Sequence, residues 1–268
     1  MSANLPNLSR IQIFPVKSLD PVSVAEARVL SSGALEHDRA WGLFDVAGHF
    51  VNGKRHAAIH RIRSKANLAA RTVNLREESD ETCGRTFGID RDRDEIEAWL
   101  GQHFGFPVSI REDREGGFPD DKASPGPTVV SVATLAQIGR WFALSIEQVR
   151  ARLRANLEID GVPAFWEDQL FAGAGRVVRF RIGDMVFEGV NPCQRCIVPA
   201  RDAWTGTLDR TFASKFRELR EQSLPSWSPR DRFNHFYRAA VNTRSLRSQE
   251  NRVVRVGDSI EILGAFDT

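Results

Sequence analysis

The chain of 268 residues is 41% hydrophobic and 27% charged, which is ordinary for a globular protein and argues against intrinsic disorder. Its formal net charge is only +2, and basic and acidic residues alternate, as in 91–94, so neither nucleic acid nor a membrane surface is an expected partner. No apolar run reaches about 18 residues and the N-terminus lacks the features of a secretory signal, so we expect a soluble, cytoplasmic protein.

The first third of the sequence predicts short strands separated by turns, at spacings of about 8 to 12 residues, which is typical of a small antiparallel sheet or barrel. The predicted strands are 10–16, 22–30, 40–45, 50–52, 59–65 and 68–75. A helix is predicted over 92–105, because apolar residues recur at helical spacing from Ile96 to Phe104 and Gly105 can end it.

The segment 111–127 is rich in turn-forming residues and predicts a long loop that joins two halves, residues 1–110 and residues 111–268. Helices are predicted over 134–142, 145–154 and 212–221, the second opened by a capping box between Ser145 and Gln148. The strands predicted in this half are 157–159, 177–182, 185–190, 240–243, 253–256 and 259–263. The chain is therefore predicted to be a β-rich α+β protein.

Two of the three cysteines, Cys193 and Cys196, lie close together just after a predicted strand. An odd cysteine count does not suit a disulfide framework, so metal binding or thiol chemistry is the question for this pair. A structural zinc site needs four ligands, but Cys83 is distant in sequence and the six histidines form no matching motif. A thioredoxin-like dithiol needs a helix after its second cysteine, and 197–199 is a poor first helical turn. Two cysteines without chemistry are the third alternative.

Five motifs in the second half resemble, in order and spacing, the MOSC (molybdenum cofactor sulfurase C-terminal) domain. They are Arg154-Ala155-Asn156-Leu157, Phe165-Trp166-Glu167-Asp168, Cys193-Gln194-Arg195-Cys196, Thr205-Gly206 and Val256-Gly257-Asp258. The N-terminal part resembles the β-barrel domain that precedes MOSC in the mitochondrial amidoxime-reducing component and its bacterial relatives. Its motifs are Pro15-Val16-Lys17-Ser18, Gly33 with Asp38-Arg39, and Gly48-His49-Phe50-Val51. The resemblance implies a MOSC β-barrel domain combined with a smaller N-terminal β-barrel-like domain.

The resemblance also implies a molybdenum cofactor (Mo-molybdopterin), and no pyridoxal phosphate, held between the two domains with Cys196 as the metal ligand. A thiolate is a soft ligand that suits such a metal. By family position, the candidate cofactor-binding residues are Lys17, Ser18, Arg39, Ser124, Arg154, Asn156, Arg195, Cys196 and Asn242. Their basic members suit the phosphate that ends the pterin. Cys196 and Asp168 are the candidate catalytic residues, Asp168 as a proton donor, although a turn or cap carboxylate is an equal alternative.

The activity implied is that of a molybdenum cofactor-dependent oxidoreductase, which reduces an N-hydroxylated or other N-oxygenated small molecule with two electrons and two protons. The sequence contains no flavin or nicotinamide fingerprint, so we expect an external electron donor such as a ferredoxin, a flavoprotein or a cytochrome b5-type protein. Two alternatives stay open. One is a sulfur carrier with a persulfide on Cys196, and the other is a non-catalytic molybdenum cofactor-binding module.

Overall fold

The computed structural model describes residues 5–246 and 252–268. Residues 1–4, part of the segment compared with secretory signals, lie outside this description. Within the described ranges the strands are β1 (Asn7–Ile13), β2 (Val22–Val24), β3 (Glu26–Arg28), β4 (Trp41–Phe44), β5 (Ile62–Asn67), β6 (Thr72–Glu77), β7 (Arg85–Gly88), β8 (Ser109–Glu112), β9 (Val129–Ser131), β10 (Leu157–Asp160), β11 (Arg176–Ile182), β12 (Met185–Gln194), β13 (Arg238–Ser245), β14 (Val253–Arg255) and β15 (Ile260–Asp267). The α-helices there are α1 (Arg93–Phe104), α2 (Val132–Phe142), α3 (Ile146–Leu153) and α4 (Phe212–Gln222). The predicted β-rich α+β class is confirmed. None of the helices in these ranges has the length and apolar content needed to cross a membrane.

Helix boundaries follow the capping signals in the sequence. The predicted capping box is present, since the Ser145 side chain accepts from the backbone of Gln148 and the Gln148 side chain accepts from the backbone of Ser145. Gly105 ends α1 at a φ of 75°, which glycine adopts without steric cost. The three helices predicted in the second half therefore begin and end within two residues of the observed helices α2, α3 and α4.

Strand boundaries differ more from the prediction. The predicted strand 22–30 is divided, because β2 pairs with β1 whereas β3 pairs with β14. The predicted strand 59–65 begins instead as a 3-10 helix, Ala57–Arg61, after Asn52 has accepted the backbone N–H groups of the turn that follows it. The sequence analysis did not predict the three short strands β7, β8 and β9.

One eight-stranded sheet joins the two ends of the sequence. Its order is β15-β11-β12-β13-β9-β10-β1-β2, and every neighbouring pair is antiparallel except β9 and β10. β1 pairs directly with β10, so Ile11 lies opposite Leu157. The segment after β1 is therefore held next to the segment before β10, although 140 residues or so separate them. The proposed division at 110/111 stays a prediction, and the large sheet contains strands from both sides of it.

Three hydrophobic clusters stabilise this arrangement. The first lies against the large sheet and contains Leu8, Phe180 and Phe187, all fully buried. The second lies in the N-terminal part, where α1 packs on the strands around Trp41. The third packs α2, α3 and α4 together around Phe216.

The loop between β8 and β9 is longer than most connections but is anchored. The predicted loop 111–127 begins two residues later than expected, because β8 continues to Glu112. Phe118 packs edge-on against Phe44 and Phe50, with ring centroids 5.4 and 5.7 Å apart. The backbone carbonyl of Phe118 also accepts a hydrogen bond from Lys17. The loop thus forms one wall of the site.

Candidate functional site

One cavity of about 690 Å³ brings the predicted cofactor-binding residues together. All nine line it: Lys17, Ser18, Arg39, Ser124, Arg154, Asn156, Arg195, Cys196 and Asn242. They come from the segment after β1, the β3–β4 connection, the 113–128 loop, the α3–β10 connection, the residues that follow β12, and strand β13. Their roles as ligands stay predictions, but their shared location follows from the sheet, which places β1 beside β10 and β12 beside β13.

Lys17 lies in the N-terminal wall of the cavity. Its side chain is 6% exposed, and its Nζ donates to the Phe118 carbonyl at 2.7 Å and to Asp120 Oδ1 at 2.9 Å. Burial lowers the pKa of Lys17, and the Asp120 carboxylate acts in the opposite direction. Lys54 donates to the same oxygen of Asp120 at 3.1 Å. Two ammonium groups thus share one carboxylate at this wall.

Arg39 and Arg154 meet at one aromatic ring although 115 residues separate them. Their guanidinium carbons lie 5.1 and 4.3 Å from the centroid of Phe14, at cation–π distance. Arg39 is ion-paired with Asp38, whereas Arg154 donates to the Leu19 carbonyl at 2.6 Å. Burial, followed by the charge of Arg39, lowers the pKa of Arg154 to about 10. Arg154 remains a cation at neutral pH.

The uncharged polar residues among the nine differ in how many hydrogen bonds they form with the rest of the protein. Asn156 is fully engaged, donating to the Gln12 carbonyl and accepting from the backbone of Thr128. Asn242 donates to Asn191 Oδ1 at 3.1 Å. The hydroxyl oxygen of Ser124 is buried and has no hydrogen-bond partner among the described residues. Ser124 is therefore the member of this group that is free to bind a ligand.

The two cysteines occupy different environments at the end of β12. The strand continues further than predicted, so that Cys193 lies within it and Cys196 two residues beyond its end. Arg195 Nη1 donates to Cys193 Sγ at 3.2 Å, whereas Cys196 Sγ accepts from the backbone N–H of Val198 at 3.5 Å. The 3-10 turn Val198–Ala200 follows, in place of the α-helix that a thioredoxin-like dithiol needs. Within the described ranges, no group of three or more His, Cys, Asp or Glu side chains is arranged to hold a metal ion.

Asp168 is not among the residues that line this cavity, and its role as a catalytic proton donor stays a prediction. It is 4% exposed, ion-paired with Arg220 on α4 and hydrogen-bonded by the hydroxyl of Ser228. Both contacts lie away from the residues that line the cavity. Asp168 thus holds the 3-10 helix Trp166–Leu170 against α4, which is the alternative role of a structural carboxylate.

Several cavity residues were missed by the sequence analysis. His60 lines the cavity, and its buried Nε2 has no hydrogen bond of normal geometry to the described residues. Burial, reinforced by Arg154 and Arg201, lowers its pKa to about 4, although the Gly53 backbone acts in the opposite direction. His60 is therefore a neutral imidazole at neutral pH. Gly53 permits this approach, because a Cβ there would lie 2.9 Å from His60 Nε2. No sequence signal identified His60, since it lay inside a segment predicted as a regular strand.

The cavity is strongly cationic. Eight Lys and Arg residues line it against three Asp residues. The basic residues are Lys17, Arg39, Lys54, Arg152, Arg154, Arg195, Arg232 and Arg238. Buried nitrogen atoms without partners also occur at Arg152, Arg195 and Arg238, each at Nε. A wall with this excess of charge and of unpaired donors suits an anionic ligand.

Comparison with protein-family models gives two matches that follow the order inferred from the motifs. The model described as the MOSC N-terminal beta barrel domain matches residues 5–107, and the model described as the MOSC domain matches residues 128–261. The resemblance stated from the sequence is thereby confirmed.

The chain is also similar to several curated proteins. They include the molybdenum cofactor sulfurases of Drosophila mojavensis (25% identical over 224 residues), Homo sapiens (23% over 264) and Caenorhabditis briggsae (24% over 242). The matches cover 71%, 81% and 81% of this chain, but 27%, 29% and 32% of the respective relatives. The chain thus spans about a third or less of the length of these relatives. Among solved structures, that of the YUAD protein from Bacillus subtilis aligns over 97% of this chain and 96% of its own, with 11% identity and a TM-score of 0.39.

Proposed function

Since the chain belongs to the MOSC domain family, we propose that it is a molybdenum cofactor-dependent oxidoreductase that reduces N-hydroxylated or other N-oxygenated compounds. The family and the named relatives support the coarser part of this proposal, a function connected with the molybdenum cofactor. The observation that carries it is the convergence of nine separately placed residues, Cys196 among them, on one cationic cavity.

The residues of the cavity fit such a cofactor. Its terminal phosphate is an anion of about −1.5 to −2 charges near neutral pH, by analogy with other phosphate monoesters. Lys17, Arg39 and Arg154 supply one ammonium and two guanidinium groups at the same wall. The unpartnered hydroxyl of Ser124 adds a neutral donor. Cys196 would supply the soft sulfur ligand that such a metal prefers.

The chain's own contribution to the reaction is to bind, orient and enclose. When bound, the molybdenum cofactor supplies two-electron redox chemistry at its metal. Lys17, Arg39, Arg154 and Ser124 would bind the anionic end of the cofactor, and Cys196, just beyond the end of β12, would be the metal ligand. His60 presents a neutral imidazole to the same cavity, which suits hydrogen bonding to an uncharged N–O group. We further propose that the electrons come from an external redox protein, since the two-electron reduction needs a donor.

The proposal is tested by substituting the two cysteines separately. The wild type, Cys196→Ser and Cys193→Ser are produced in a host that makes the cofactor, and each is assayed for molybdenum, for pterin fluorescence and for reduction of benzamidoxime with reduced methyl viologen. Loss of a metal ligand should lower activity by more than about a hundredfold and alter the molybdenum spectrum. Cys193→Ser, the matched control, should have a much smaller effect.

The same measurements separate the alternatives. Wild-type protein that contains neither molybdenum nor pterin would contradict the proposal, and a persulfide on Cys196 of such protein would identify a sulfur carrier. Stoichiometric cofactor without turnover of any N-oxygenated compound would identify a binding module. Equal and mild effects of both cysteine substitutions would contradict the assignment of Cys196 as the ligand.

A further inference from the structure

The cations that line the cavity fall into two classes by their partners. Four of them form ion pairs: Lys17 and Lys54 with Asp120, Arg39 with Asp38, and Arg152 with Asp202. The other four, Arg154, Arg195, Arg232 and Arg238, form no ion pair with a carboxylate of the described residues. Arg154 and Arg195 are already assigned to the cofactor. Arg232 and Arg238 remain as cations without an assigned anion.

Arg232 and Arg238 lie along the same end of β12. Arg232 Nη2 donates to the Val190 carbonyl at 2.9 Å, and Arg238 Nη1 donates to the Pro192 carbonyl at 2.7 Å. These carbonyls are two residues apart on one strand, so the two guanidinium groups are neighbours. Burial lowers the pKa of Arg238, the nearby Cys193 acts in the opposite direction, and the charge of Arg232 lowers it further. The two positive charges therefore repel each other within the cavity wall.

The side-chain and backbone groups that accept hydrogen bonds from this pair are uncharged. Arg238 Nη2 donates to the amide oxygens of Asn234 and Gln194, and Arg232 Nη1 donates to the Ala172 carbonyl. All of these acceptors are neutral. Arg238 Nε is buried and unpartnered. Partly buried cations without a carboxylate partner are unfavourable, and a bound anion lowers that cost.

This pair is separate from the wall assigned to the cofactor's phosphate. Lys17, Arg39 and Arg154 belong to the wall formed by the segment after β1 and the start of β10, where Phe14 and Asp120 connect them. Arg232 and Arg238 instead contact the end of β12, on the side of Cys193. One phosphate at the first wall leaves the second pair without an anion.

We propose that Arg232 and Arg238 form a subsite for an anionic group of the substrate, so that the protein acts on N-oxygenated compounds that also carry a carboxylate or a comparable oxyanion. This inference rests on the proposed function. In the reaction, two electrons from the external donor and two protons break the N–O bond of an amidoxime or hydroxylamine. The oxygen leaves as water, and the carboxylate stays unchanged at the arginine pair.

The test compares two substrates that differ only in charge, benzamidoxime and 4-carboxybenzamidoxime, with reduced methyl viologen as the donor. For the cofactor-loaded wild type, kcat/KM should favour the carboxylated compound roughly ten- to a hundredfold, the range expected for hydrogen bonds to a charged group. In Arg238→Gln this ratio should fall to about one. Arg238→Lys, which keeps the charge, should retain part of the preference. Arg210→Gln, the same substitution at an exposed residue outside the cavity, should leave the ratio unchanged.

A binding measurement separates the failure of this inference from the failure of the proposed function. Calorimetry of the loaded protein with benzamidine and 4-carboxybenzamidine, the reduced forms of the two compounds, needs no turnover. If neither amidoxime is reduced but the carboxylated amidine binds at least tenfold more tightly and Arg238→Gln removes the difference, the subsite stands and the reductase function fails. A wild-type ratio near one in both assays, or a preference that Arg238→Gln leaves unchanged, would overturn the subsite.

Discussion

Three side-chain-bearing residues of the cavity adopt left-handed backbone conformations. The φ angles are 75° at Ser18, 53° at Arg39 and 55° at Arg154. Such conformations cost about 1 to 2 kcal/mol each for residues other than glycine. Each of the three lies at a turn that directs its side chain into the cavity. Three of the eight described non-glycine residues with positive φ are thus positions that the family resemblance assigns to the cofactor.

Substitution of Arg154 separates the effect of this residue on folding stability from its effect on cofactor binding. Its guanidinium is enclosed without an ion pair, so we expect Arg154→Met to change the free energy of unfolding of the cofactor-free protein by no more than about 1 kcal/mol, the contribution of the lost hydrogen bond to Leu19. Cofactor content should fall at least about tenfold, because a charged donor to the phosphate is lost. Chemical denaturation and pterin fluorescence measure the two effects.

Arg154→Lys is the matched control, since it keeps the charge and should retain more cofactor than Arg154→Met. Full cofactor content in Arg154→Met would contradict the assignment of Arg154 to the phosphate. Marked destabilisation of both variants would instead indicate that Arg154 serves the fold.

At the level of single residues, the sequence supplied nine of the thirty described residues that line the cavity, and the reason is local. Lys17, Arg154 and Cys196 lie within short motifs whose order resembles that of a family. His60 and Arg238 lie in no such motif. They reach the cavity through a 3-10 turn and through a contact between β12 and β13, and neither feature is encoded by neighbouring residues. The burial of Asp168 against α4 is likewise a tertiary contact.

Secondary-structure elements could be predicted where a single local sequence signal, such as a helix cap, sets their ends. α3 has a complete capping box and α1 has its glycine cap, so both helices were predicted within two residues. β7 and β8 carry charged residues in four-residue strands and lack a clear alternation, so that only their pairing with β6 and β4 defines them. Such short strands form because a neighbouring strand pairs with them, and the local sequence does not show which strand that is.

The 3-10 helix Trp166–Leu170 contains a buried carboxyl group that should make the stability of the protein depend on pH. Glu167 in this helix is 1% exposed, and burial, followed by the charge of Asp168, raises its pKa from 4.5 to about 7. A raised pKa in the folded state means that the contribution of Glu167 to stability is fully present below about pH 4.5 and is lost as the pH rises through 7. Glu167→Gln fixes the side chain in a neutral form. Between about pH 5 and pH 8 the wild type should therefore lose on the order of 3 kcal/mol relative to Glu167→Gln.

Urea denaturation of both proteins at several pH values measures this difference. Other titrating groups are common to the two proteins and cancel in the comparison. Unfolding free energies that change in parallel with pH would show that Glu167 is ionised in the folded protein throughout the range.

The whole molecule is organised so that the cavity draws residues from both halves of the sequence. Lys17 and Arg39 come from the first half, Cys196 and Asn242 come from the second, and the 113–128 loop supplies Ser124 between them. The same halves share the large sheet through β1 and β10. A ligand that contacts all of these segments adds its binding free energy to the stability of one cooperative unit.

Cofactor loading should therefore raise the stability of the entire chain in a single step. At a cofactor concentration about a thousandfold above its dissociation constant, binding contributes about 4 kcal/mol, and for a chain of this size that corresponds to a rise in Tm of roughly 10 °C. Calorimetry should show one transition for the loaded protein, shifted upward from that of protein made in a host that lacks the cofactor. Arg154→Met from the competent host should melt like the cofactor-free protein. Two transitions, of which only one responds to the cofactor, would mean that the halves fold independently and that one of them alone holds the ligand.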